Sequence, residues 1–245
     1  MVAYLLAIRH GGSFFGGPTN RVDVRYGAIP YELTHPGDHC ELVTQGSLST
    51  VACQGQPGVS GAPASQPPTG ETVFTSMFLH GSFLHIFGNM LFLAIFGPTV
   101  EDRIGRLRFP VFYLLGGVVA LAAQVLVSPN STAPTLGASG AIAAVLGGYI
   151  LLYPRARVLT LVFIIFFVTI IELPAFYLLG FWFLEQLYFG AAGLASPVGS
   201  GEGIAYFAHI GGFAFGLLTI RLFAYRRPGP EPPPPVYSSD ARARE

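Results

Sequence analysis

Four polar residues stand in stretches otherwise fit for lipid: His85, Asn89, Ser139 and His209. Polar and ionisable groups are costly inside a bilayer, so each is a functional candidate by default. Their types suit acyl transfer. Serine becomes a nucleophile when a base takes its proton, and histidine is the usual base. The tetrahedral intermediate also needs fixed donors at its oxyanion. Ser139 opens a helix after the loop 128–136 (SPNSTAPTL). Its backbone N–H is then an orphan donor at a helix N-terminus, where the dipole favours negative charge. His85 and Asn89 are spaced i, i+4, share one helix face and offer further donors. The acidic residue nearest His209 in sequence is Glu202, seven positions away, which reads as a surface residue. The pattern is therefore a Ser139–His209 dyad rather than a triad.

Helices must bring these residues together. A span needs about 20 apolar residues. The candidates are 81–100, 110–127, 136–152, 158–190 and 204–223. Strands fit poorly, because the runs are long and lack period-2 alternation. As one helix, 158–190 would measure roughly 50 Å, more than the roughly 30 Å hydrocarbon core. Pro174 suits the first turn of a helix. The stretch therefore divides into an interfacial or re-entrant piece, 158–172, and a span, 174–190. Counting about 1.5 Å per residue from the inner helix ends puts His85 roughly 22 Å up, Asn89 16 Å, Ser139 20 Å and His209 18 Å. The four meet in one layer, about 10 Å below the outer surface. Gly137 and Gly140 flank Ser139, and Gly212 and Gly216 form GxxxG below His209. Small residues let two helices approach closely enough for a side-chain hydrogen bond. Taken singly, each feature has a plain packing reading: GASGA as helix-contact glycines, His85 with Asn89 as interhelical glue, His80 as an interfacial anchor. GASGA is not the G-x-S-x-G elbow of soluble hydrolases, and no strand precedes it.

Composition agrees. The chain has 245 residues, 51% hydrophobic and 11% charged, with mean hydropathy +0.55. Soluble domains carry about 25% charged residues. Thirteen Arg balance 13 Asp plus Glu, and there is no Lys. No basic excess exists for nucleic acid. Ten arginines (Arg103, Arg106, Arg108, Arg155, Arg157, Arg221, Arg226, Arg227, Arg242, Arg244) fall on one side of the spans, against Arg9, Arg21 and Arg25 on the other. The arginine-rich side, with the C-terminus, reads as cytoplasmic. No internal repeat suggests a repeat-built transporter.

Residues 1–10 are apolar but too short to span. They read as the remnant of a first transmembrane helix, the alternative being a protein of five spans. Residues 11–73 form a long polar outer loop holding Cys40 and Cys53, which pair or stay free. The cluster HPGDHC (His35, His39, Cys40) lacks a second set of metal ligands, so no metal is expected. Residues 74–225 form the transmembrane core, and the Pro-rich 226–245 a disordered cytoplasmic tail.

HGSFLHIFGN (His80 to Asn89) resembles the rhomboid H-G-x-x-x-H-x-x-x-N signature. GASGA (Gly137 to Ala141) resembles its G-x-S-G, and AHIGGFAFG (Ala208 to Gly216) its A-H-x-x-G-x-x-x-G. EDRIGRLRF and the Pro174, Trp182, Gln186 pattern resemble bacterial members. The resemblance covers roughly residues 26–224. It implies an all-α, six-helix rhomboid-like bundle, with the first helix truncated in this chain, in a bacterial cell membrane. It further implies an intramembrane serine endopeptidase with Ser139 as nucleophile and His209 as base, then acid. Asn89, His85 and the Ser139 N–H would serve the oxyanion, with His80 and the glycines in support. Substrates would be single-span membrane proteins, cut near the outer face and met through membrane lipid. No cofactor is implied. Some members carry an aromatic residue four positions after the serine, under the histidine ring; here that position is Ala143. The competing readings are an inactive rhomboid-like protein that binds membrane clients, and a small transporter.

Overall fold

The computed structural model describes residues 2–9, 11–45, 48–57, 59, 67–164, 167–195 and 204–224. Glu202 and the tail 226–245 lie outside these residues. The described chain is mostly helical. Among the described residues, four helices are long and apolar enough to cross a membrane: α5 (Phe83–Ile104), α6 (Arg108–Val127), α8 (Ala175–Ala195) and α9 (Tyr206–Phe223). The protein is an integral membrane protein. Between them lies the shorter apolar helix α7 (Ser139–Leu152), whose residues Ala141 to Tyr149 are all buried.

Glycine explains how α7 is enclosed. A Cβ on Gly212 would collide with the Gly140 carbonyl, and one on Gly216 with the Ala144 carbonyl. One on Gly147 would meet the Phe213 carbonyl. Helices α7 and α9 thus touch backbone to backbone, which a larger residue at any of these positions forbids. Helix α6 closes the other side, with Ala120 Cβ only 2.6 Å from where a Cβ of Gly140 would stand. Around this seam Phe96, Phe112, Leu146, Leu179, Phe213 and Ile220 fill the core.

The segment read as a polar outer loop has structure of its own. Helix α1 (Val2–Arg9) stands just ahead of it, and it contains a short β1–β2 pairing (Gly12–Ser13, Gly17–Pro18), α2 (Asn20–Tyr26), α3 (Pro30–Thr34) and an antiparallel hairpin, β3 (Cys40–Gln45) with β4 (Leu48–Cys53). Helix α4 (Thr69–Thr75) and a 3-10 turn (Ser76–Phe78) lead into α5. Cys40 and Cys53 are directly opposite in the hairpin and form a disulfide. The question left open by sequence is thereby answered, and Cys40 has no thiolate to offer a metal. The bridge packs with Val24, Ile29 and Tyr31 in a second small core.

A second correction concerns 158–172. Residues Arg157–Ile164 (β5) and Phe167–Pro174 (β6) form an antiparallel hairpin. The stretch is rich in β-branched residues, which favour strands. Alternation was hidden because both faces of the ribbon are apolar. Helix α8 starts right after Pro174 and runs to Ala195, five residues beyond the expected end at 190.

Candidate active site

Ser139 is the first residue of α7. Ile142 N–H bonds to Ala138, which closes the first turn and leaves the Ser139 N–H without an intrahelical acceptor. Gly137 sets the entry. Its φ of +110° lies in the left-handed region that favours glycine. A Cβ there would also stand 2.7 Å from His85 Nε2 and 3.7 Å from Asn89 Nδ2. His85 and Asn89 therefore border the backbone two residues before Ser139. Gly137 N–H donates to the Ser76 carbonyl at 2.9 Å, fixing the turn from the side of the 3-10 segment.

His209 reaches Ser139 across the seam. Its Nε2 is 2.8 Å from Ser139 Oγ. Its Nδ1 is 2.8 Å from Gln186 Oε1, on α8. Gln186 is buried, 6% exposed, and its Nε2 donates to the Trp182 carbonyl at 3.3 Å. The Trp182 ring lies 5.8 Å from the His209 ring. Ala143 is fully buried beneath Ser139.

On α5, Ser82 caps the helix by accepting the His85 N–H at 3.1 Å. Asn89, 7% exposed, donates from Nδ2 to the His85 carbonyl at 3.0 Å. His80 lies just before the helix, its ring edge-on to His85 at 5.1 Å. It is 3% exposed, and neither ring nitrogen makes a well-formed hydrogen bond. Burial, with help from the neighbouring His85, lowers the His80 pKa to about 4; the Phe78 carbonyl offsets only part of this. His80 is thus a neutral ring behind the site.

The geometry brings Ser139, His209, His85, Asn89 and Gly137 to one place, with Gly140, Gly212 and Gly216 in the seam beneath and His80 behind. A cavity of about 1150 Å³ opens onto them, lined by His85, Asn89, Gln124, Ser139, His209 and the loop 128–136. Two polar residues escaped the sequence reading of roles. Gln186 stands in the sequence only within the Pro174, Trp182, Gln186 pattern, and Gln124 lies within the candidate span 110–127. Gln124 Oε1 accepts the Ala208 N–H at 3.3 Å, beside His209. An amide in a membrane helix was the signal for each.

The N-terminal segment holds the cavity's rim. Ala28 and Thr135 exchange backbone hydrogen bonds of 3.2 and 2.8 Å. Tyr31 N–H donates to the Ser131 carbonyl at 3.0 Å, and Thr34 Oγ1 to the Pro129 carbonyl at 2.8 Å.

Comparison with known proteins follows the same residues. The rhomboid domain family model matches residues 69–226. Rhomboid protein 1, mitochondrial, of Saccharomyces cerevisiae is 33% identical over 153 residues, covering 60% of this chain and 40% of that protein. Presenilin-associated rhomboid-like protein, mitochondrial, of Bos taurus is 29% identical over 147 residues, 59% of this chain and 36% of that protein. Rhomboid-like protein 11, chloroplastic, of Arabidopsis thaliana is 40% identical over 68 residues, 28% and 24% of the two chains. The chain spans 40% or less of the length of each of these relatives. With the family match extending over more than half of its residues, the chain belongs to the rhomboid family.

Proposed function

We propose that the protein is an intramembrane serine endopeptidase that cuts single-span membrane proteins near the outer face by a Ser139–His209 dyad. The observation that carries this reading is the 2.8 Å contact between Ser139 Oγ and His209 Nε2 at the mouth of an open cavity. Ser139 Oγ attacks the scissile carbonyl carbon while Nε2 takes its proton. The oxyanion that forms is met by the Ser139 N–H, with Asn89 Nδ2 and the His85 ring beside it. Collapse breaks the C–N bond, and His209 returns the proton to the leaving amine. Water from the cavity then attacks the acyl-serine ester while His209 takes its proton; the C–Oγ bond breaks, the acid product leaves, and His209 returns the proton to Ser139 Oγ. Oxygen and nitrogen donors suffice, and the reading calls for no cofactor.

The cavity favours an unwound substrate segment, since main chain must reach Ser139 between the 128–136 rim and α5. The arginine asymmetry supports a cytoplasmic C-terminal side. A disulfide in the outer segment supports an oxidising outer compartment. The segments resembling bacterial members support a bacterial cell membrane, although the relatives compared carry mitochondrial and chloroplastic names.

The test is cleavage of a labelled single-span substrate in proteoliposomes by wild type, Ser139→Ala and His209→Ala. Cleavage by wild type alone is expected. Binding of the substrate without cleavage by any of the three would instead establish a client-binding protein without turnover.

A further inference from the structure

His209 has two ring nitrogens, and a dyad needs the right one unprotonated. A general base facing Ser139 must present a lone pair at Nε2, so the ring proton must sit on Nδ1. In a soluble triad a carboxylate enforces this tautomer. Here the described residues around Nδ1 supply no carboxylate, and position 143 supplies no ring to brace the imidazole. What faces Nδ1 is the Gln186 amide, 2.8 Å away.

The amide's orientation is decided by its other end. Gln186 Nε2 lies 3.3 Å from the Trp182 carbonyl, which can only accept. Turning the amide over would set oxygen against oxygen at Trp182 and would leave a buried pair unsatisfied. Oε1 therefore faces His209 and can only accept from it. The chain runs Ser139 Oγ–H to His209 Nε2, then His209 Nδ1–H to Gln186 Oε1, then Gln186 Nε2–H to Trp182 O. Every donor meets an acceptor in that order alone.

We propose that Gln186 is the positioning residue of the site, holding His209 in the Nδ1–H tautomer and in the plane that points Nε2 at Ser139. This rests on the Ser139–His209 reading. An amide carries no charge, so it selects a tautomer and an orientation without stabilising the imidazolium as a carboxylate does. Its loss should therefore cost less than loss of a triad carboxylate, which lowers turnover by about 10⁴-fold.

The experiment combines kinetics with ¹⁵N NMR of histidine-labelled protein in detergent, the His209 signals being assigned by their loss in His209→Ala. Wild type should show the Nδ1–H pattern at His209. In Gln186→Leu that pattern should give way to a mixture of tautomers. Its kcat should fall by about 10- to 100-fold, on the scale of a lost orienting contact, with KM within about twofold because Gln186 touches no substrate. Gln186→Asn keeps an amide but withdraws it by one methylene, so it should be slow as well, and it tests the proposal even where Leu unfolds the protein. Gln186→Glu, protonated in its buried place, keeps an oxygen acceptor at Nδ1 and an O–H donor for the Trp182 carbonyl, and should recover most of kcat. Wild-type kcat and an unchanged His209 tautomer in both the Leu and Asn variants, with Ser139→Ala dead, would overturn the role of Gln186 alone. An active Ser139→Ala would overturn the dyad beneath it.

Discussion

The α7–α9 seam and the N-terminal segment ahead of α5 position the same serine by opposite means. The seam works through absence. Gly212 and Gly216 remove side chains so that backbones touch, and the polar contacts it carries are those of the site itself. The N-terminal segment works through bonds. It has a disulfide, a small core around Ile29 and Tyr31, and hydrogen bonds onto the 128–136 rim. It also buries ionisable groups. Burial pushes Asp23 up to about 6, and Glu32 is raised by burial although the Cys40 N–H and His39 pull it back. Lipid gives the seam no hydrophobic drive for helix association, so close packing must supply it. The N-terminal segment is too small for a large core and relies on a covalent bridge.

The comparison breaks most sharply at Gly216. Gly216→Leu forces a side chain into the Ala144 backbone, beyond the usual 1–3 kcal/mol, approximately, of an overpacked site, because main chain cannot step aside. Loss of folded protein is expected in detergent melting curves, and activity should vanish with it. Removing the disulfide should separate the two regions. With a sequence separation of 13 between the cysteines, Cys40→Ser with Cys53→Ser should cost about 3 kcal/mol. Limited proteolysis should then cut within 20–57 while α5 to α9 stay protected; equal loss in both regions would mean that they fold as one unit.

Acidification sharpens the contrast further. His80 has a folded pKa of about 4 against an ordinary 6.5, so the folded state prefers the neutral ring. Its contribution is intact above pH 6.5, falls as pH drops through that value, and levels off below about 4. At about 1.4 kcal/mol per unit, at most about 3.5 kcal/mol is lost. Asp23 runs the other way: its contribution improves as pH falls from about 6 towards 3.8. His80→Gln should flatten the pH dependence of the melting temperature between pH 7 and 4. Asp23→Asn should steepen it while stabilising the protein at neutral pH. The smallest effect is at the α5 cap. Ser82→Ala should cost about 1 kcal/mol, read as a small drop in melting temperature.

The seam was legible in sequence because its instructions are local. Ser139 after Gly137, His209 with Gly212 and Gly216, and His85 four residues before Asn89 each declare themselves within one or two turns. The N-terminal segment was not, because its structure depends on pairs far apart in the chain: Cys40 with Cys53, Ala28 with Thr135, Thr34 with Pro129. The hairpin at 157–174 was hidden for another reason. Its two faces are both apolar, so strand alternation disappears, and only the β-branched run hinted at it. Gln186 falls between these cases. Its type was visible, but its partner is 23 residues away on another helix.

The central claim is that His209 activates Ser139, and it can be tested without knowing a substrate. The protein in detergent would be treated with a fluorophosphonate and the labelled residue mapped by mass spectrometry, in wild type and in His209→Ala. The account expects one phosphonyl group on Ser139 in wild type, with labelling slowed at least about 100-fold in His209→Ala. Labelling of Ser139 at the same rate in both proteins, or no labelling of a folded wild type, would contradict it.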